Sequence, residues 1–267
     1  IRVQRMETRN GSEKVDWQGP FCSSWECHQK SSEGLFTVED HNSTQKEADT
    51  RIPLHLSHAV RSLTVASEDT DVFILWVSFQ RLIPSSIFLK CGTQTRVRYI
   101  NIKSIVKAMA QNLCSLLGIH AYTGCVTVSA YAGREKIWAL RILKEHKSFQ
   151  EMFDLLGVEL ELSDDLVQKL QDFTCQLYIS SPGTNSVNEL RYRMFCSRRG
   201  NIEFDQLLPC ADCLSKHACR ANYQTAIWRQ GLENRPEIPS PLRHGWTQEE
   251  KRLGLNGWVA RQHWQQF

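Results

Sequence analysis

Two pairs of carboxylates stand close together in the chain, Glu47 with Asp49 and Asp69 with Asp71. Brought to one place, four carboxylates repel one another unless cations intervene. Hard oxygen donors with little histidine select Mg²⁺ or Mn²⁺ over zinc. Two such ions side by side activate a water and stabilise a leaving oxygen in phosphodiester cleavage. The plainer alternative makes Glu47 and Asp49 helix-terminus acids and Asp69 and Asp71 parts of a turn.

These residues need elements to hold them. Leu63–Ser67, Ile87–Lys90 and Val97–Ile100 read as short strands, and Ile102 through Gly118 has helical spacing. Ala48, Ile52, Leu56 and Ala59 recur at helical spacing too, predicting an amphipathic helix capped by Thr44, with Pro53 near its first turn. The alternation argues an α/β domain with a mostly parallel sheet flanked by helices. In such a sheet the C-terminal ends of strands form the crevices, and Asp69 and Asp71 follow one. Two residues apart on a strand share a face, so both carboxylates are expected to point into one crevice. Beyond Gly124 the pattern is helical, over 134–146, 148–156, 163–180, 186–198 and 203–231. Residues 1–44 read as a divergent, loosely ordered lead-in with a strand near Leu35–Val38, and 233–267 as a Pro- and Trp-rich extended tail.

Composition excludes the unusual classes. The 267 residues carry a net charge of +3, with 41% hydrophobic and 23% charged, near the averages of globular proteins. The densest apolar run, Val72–Val77, is far short of the roughly 18 residues of a membrane span. Ten cysteines are too sparse for a secreted disulfide scaffold and are read as reduced, intracellular thiols. The opening Ile1-Arg2-Val3 has neither a signal segment nor an initiator Met, which suggests a piece of a longer protein. Cys210, Cys213, His217 and Cys219 stand at metal-ligand residue types, but on one continuous helix. Idle or buried thiols are the preferred reading, and zinc is not expected.

Four motifs in register carry a resemblance: Glu47-Ala48-Asp49-Thr50-Arg51, Asp69-Thr70-Asp71-Val72, His120-Ala121-Tyr122-Thr123-Gly124-Cys125 and Arg220–Trp228. The first two, with the segment Val97–Phe153, resemble the metal motifs and helical hairpin of the PIN-like, flap endonuclease-type 5′ nucleases. The full set is similar to a mobile-element-associated protein family of animal genomes. The resemblance implies a PIN-like core over 45–155 that lacks its first strand, a helical hairpin at 127–150 and a helical extension over 156–232. It also implies that Glu47, Asp49, Asp69 and Asp71 are catalytic metal ligands for Mg²⁺ or Mn²⁺, that DNA is the partner, and that the location is nuclear. Where the family pattern has a further metal-binding Asp after Thr-Gly-Cys, this chain has Val126, which offers no ligand atom. Two readings stay open: a divergent structure-specific nuclease, or a non-catalytic nucleic-acid-binding or scaffolding module that keeps the fold.

The resemblance further implies that the turn Ser129–Lys136 holds a phosphate backbone. Ser129, Gly133, Arg134 and Lys136 are its candidate contacts, since glycine admits a close backbone approach and cations attract phosphate. Arg191, Arg193, Arg198 and Arg199, interleaved with Tyr192 and Phe195, are a second candidate nucleic-acid face; a solvated helix is the commoner explanation. His120 is read as a packing residue, and His55 and His58 as surface or core residues rather than ligands.

Overall fold

Runs rich in β-branched and aromatic residues build the sheet, and longer amphipathic segments supply the helices around it. The computed structural model describes residues 2–5, 44, 49–50, 53–54, 63–93, 95–109, 113–199, 206–249 and 252–255. The chain divides into two units, Ile1–Leu113 with Gln230–Glu237, and Cys114–Arg229 with Ile238–Phe267.

The first unit holds a mixed four-stranded sheet in the order β1-β2-β3-β4. Its strands are β1 Arg2–Arg5, β2 Leu63–Ala66, β3 Ile87–Cys91 and β4 Arg98–Asn101. Only β2 and β3 are parallel, with Leu63 opposite Ile87 and Ala66 opposite Lys90. β1 joins β2 antiparallel and β4 joins β3 antiparallel, so the expectation of a mostly parallel sheet holds at the centre and fails at both edges. The reason at β4 is chain length: a few residues between β3 and β4 allow a hairpin and no crossover. Gly92 makes that turn at φ +99°, and a Cβ there would sit 2.2 Å from the Arg96 carbonyl oxygen. The lead-in supplies an edge strand, while the strand expected near Leu35–Val38 lies outside the described residues.

The β2–β3 crossover runs through helix α1, Thr70–Phe79, which takes up the apolar run. Val72, Leu75, Trp76 and Val77 are all fully buried. Helix α2, Ile102–Ala108, follows β4 directly, and the Asn101 side chain accepts from Ser104 N at its start. Asp49–Thr50 and Pro53–Leu54 are helical.

The second unit is mainly helical: α3 Leu116–Tyr122, α4 Lys136–Glu145, α5 Lys147–Leu155, α6 Asp164–Tyr178, α7 Val187–Ser197 and α8 Ala211–Arg229. Every residue of α3 is buried. Tyr122 is central to the core, its ring within 5.2–6.1 Å of Tyr131, Phe153, Phe173 and His217. Its hydroxyl hydrogen-bonds the Thr174 hydroxyl at 2.7 Å, so the phenol is not left unpaired in the core.

Part of the span expected as an extended tail is strand. Strands β5 Trp246–Glu249 and β6 Arg252–Leu255 form an antiparallel hairpin. The residues before it pack on α8: Tyr223 donates to Pro239 O at 2.8 Å and stacks on His244, and Arg220 donates to Gly245 O at 3.0 Å.

Candidate functional site

The acidic residues lie in the first unit. Asp69 and Asp71 do not share a strand face, as β2 ends at Ala66 and α1 begins at Thr70. Asp69 is the N-cap, its Oδ1 accepting from Asp71 N at 2.8 Å, and Asp71 occupies the first turn. The cap and the first turn are different settings, one outside the helix and one within it. Asp69 is accordingly exposed and Asp71 buried. The signal was legible: Asp before an apolar run is a helix-start mark. Asp49 is half-buried on a helical segment, and Glu47 lies outside the described residues. Among the described residues, no three His, Cys, Asp or Glu side chains gather as a metal site.

At the C-terminal ends of the parallel strands there is a shallow hollow of about 460 Å³, lined by Ser67, Glu68, Asp69, Lys90, Cys91 and Gly92. Its floor is held by local bonds: Glu68 Oε1 accepts from Gly92 N at 2.5 Å, and Ser67 Oγ accepts from Asp69 N at 3.1 Å. The position is the one a βαβ unit offers to ligands.

The turn Ser129–Lys136 belongs to the second unit. Ser129 and Gly133 are exposed; Gly133 has φ +65° with open space where a Cβ would stand. Arg134 lays its guanidinium over the Tyr178 ring at 4.4 Å. Lys136 turns inward. Its ammonium donates to His120 Nδ1 and O, each at 3.0 Å, to Thr123 Oγ1 and to the Gly124 carbonyl oxygen. These are the acceptors at the C-terminus of α3, where a cation is favoured. Val126 is exposed on the loop between α3 and this turn.

The motif residues that carried the resemblance here are packing residues. Gly124 has φ +112° and lies so close to Ala130 that a Cβ would stand 2.7 Å from its Cα. Thr127 donates to Gln224 Oε1 at 2.6 Å, and Trp228 stacks on His120 at 5.5 Å. Asn222 is fully buried, donating to the carbonyls of Glu159 and Leu160 and accepting from Gly157 N at 2.7 Å. His120 was expected to pack, but sequence spacing gave no sign of the Thr127–Gln224 and Gly157–Asn222 bonds, whose partners lie 97 and 65 residues apart.

On α7 the arginines divide. Arg191 donates to the Leu208 carbonyl, and Arg193 pairs with Glu189 one turn earlier. Tyr192 is 69% exposed and Phe195 41%, and Arg198 and Arg199 are exposed at the helix end. Tyr192 and Phe195 are three apart and therefore on one face. At the start of α8, Cys210 and Cys213 are half-buried free thiols. His217 is buried, its Nε2 bonded to Tyr122 O at 2.8 Å, and burial pushes its pKa down to about 4.

No helix among the described residues is long and apolar enough to cross a membrane. No family model, curated protein or solved structure matches the chain.

Proposed function

We propose that the chain is a nucleic-acid-binding module that keeps a nuclease-like α/β core without turning over phosphodiesters. The carrying observation is the outer face of α7, where Tyr192 and Phe195 stand exposed at i, i+3 beside Arg198 and Arg199. Flat rings next to cations suit single-stranded nucleic acid, because any base stacks on them and the phosphates meet the arginines. DNA is the expected partner from the resemblance. The open turn at Gly133 offers another place in the second unit where a backbone can approach closely.

Three observations favour binding over cleavage. Val126 has no side-chain ligand atom, the Asp69 carboxylate caps its own helix, and Asp71 is buried.

The test is fluorescence anisotropy of single-stranded oligonucleotides across a salt series, with gel analysis for products in Mg²⁺ or Mn²⁺. Binding that weakens with salt and falls roughly 5- to 100-fold in Tyr192→Ala with Phe195→Ala supports the reading. Absence of binding in wild type sinks it. The second reading, a divergent metal-dependent nuclease, is favoured by the hollow at the ends of β2 and β3. Metal-dependent cleavage that is lost in Asp69→Ala with Asp71→Ala would establish it.

A further inference from the structure

Cys210 and Cys213 are not among the residues of the proposed binding face, yet they occupy a chemically distinctive place. Cys210 stands immediately before the 19-residue helix α8, and its carbonyl accepts from Leu214 N at 2.9 Å. The next residue is fixed as well, Ala211 N donating to Asn188 Oδ1 at 2.9 Å. Cys213 is in the first turn, three residues on and therefore on the same face of the helix as Cys210. Both thiols are free and half-buried.

The two sulfurs are electrostatically unequal. Burial works to raise the Cys210 thiol, but hydrogen bonds from the Cys213 amide and thiol and the Asp212 amide, with the Arg191 charge, outweigh it. The result lies below the usual thiol value. Cys213 goes the other way, raised by burial and by its neighbour Cys210. A pair so divided has one sulfur ready to attack and one ready to resolve. Zinc asks for two further ligands, and the nearest candidate on α8, His217, is committed to Tyr122 O in the core.

We propose that Cys210 and Cys213 are a reversible redox dithiol that exchanges with small-molecule disulfides such as glutathione disulfide. The Cys210 thiolate attacks one sulfur of the small disulfide, forming a mixed disulfide and expelling one small thiolate. The Cys213 thiol loses its proton to solvent and attacks the Cys210 sulfur, expelling the second small thiolate. Both small thiolates take up protons. Two protein thiols are oxidised to one disulfide, and one small disulfide is reduced to two thiols. The same steps in reverse restore the dithiol.

The full chain is equilibrated in mixtures of reduced and oxidised glutathione, quenched with acid, alkylated and mapped by peptide mass. The expected result is the loss of two alkylatable thiols with a bond joining Cys210 to Cys213, recovered on adding reduced dithiothreitol. Cys213→Ser is expected to stop at a glutathione adduct on Cys210, formed faster than any adduct on the exposed Cys196 of α7. The idea is overturned if both cysteines stay alkylatable while Cys196 reacts, or if the bond joins another pair. The wild-type titration needs no variant, so a poorly folding mutant leaves the test intact.

Discussion

Lys136 reaches back sixteen residues to hydrogen-bond His120 Nδ1 at 3.0 Å. An ammonium only donates, so Nδ1 is the acceptor in this bond. The residue that sequence placed on a phosphate backbone is thereby engaged in closing the end of a buried helix. Lys136→Met leaves the carbonyls of His120 and Gly124 without their cation. We expect a stability loss of about 1–3 kcal/mol, read as a lower urea midpoint, with oligonucleotide affinity little changed. A large affinity loss at unchanged stability would return Lys136 to the binding surface.

His217 gives the second unit a pH dependence whose sign follows from its lowered pKa. Above about pH 6.5 the imidazole is neutral folded or unfolded and costs nothing. As pH falls toward about 4 the unfolded chain binds a proton that the buried folded form refuses, so stability declines. Below that both forms are charged and the contribution levels off, after a total loss on the order of 3 kcal/mol. His217→Gln, which keeps a donor for Tyr122 O, is expected to flatten the decline in urea midpoints over that window. An unchanged slope assigns it to other groups.

Gly133 and Gly157 share a left-handed backbone but not a setting. A Cβ at Gly133 meets nothing, whereas at Gly157 it would stand 2.5 Å from Ala226 N and 2.6 Å from Thr225 C. Gly133→Ala should cost only the backbone term of about 1–2 kcal/mol, leaving a folded protein in which any change in DNA affinity is interpretable. Gly157→Ala must displace α8 and is expected to unfold the second unit well before wild type in thermal melts. Equal melting temperatures would contradict the packing described.

Asn222 satisfies one amide and two carbonyls of the 157–160 loop from inside the core. Asn222→Ala strands all three and is expected to cost roughly 3–5 kcal/mol, beyond the effect of a single lost bond. Asn222→Asp keeps the acceptor for Gly157 N but sets a buried carboxylate oxygen against the two carbonyls, and is expected to destabilise at least as much as Asn222→Ala. Chemical denaturation of the three proteins measures the series.

The legible part of the fold was the part governed by local period. Helices α4 to α7 lie within a few residues of their expected spans because each carries an apolar stripe at helical spacing, anchored by residues such as Phe149, Phe173 and Leu190. Helix α1 escaped notice because Val72, Leu75, Trp76 and Val77 are apolar around its circumference, which erases periodicity, although Asp69 marked its start. The site was less legible. Whether Lys136 faces a ligand or a helix end, and whether Asp71 is open or buried, depends on packing between distant segments. Motif spacing located these residues in the chain but put Asp69 and Asp71 on a strand end, where the structure has a helix cap and a first turn.

The first unit is interrupted in sequence: its last eight residues, Gln230–Glu237, come after more than a hundred that belong elsewhere. One bond shows what this entails, Thr44 N donating to Asn234 O at 3.0 Å. All four strands of the sheet are synthesised by Asn101, but the acceptor for Thr44 only after α8 is complete. The sheet can therefore form early, while the Thr44–Asn234 contact of the same unit waits until the helices of the second unit have been made.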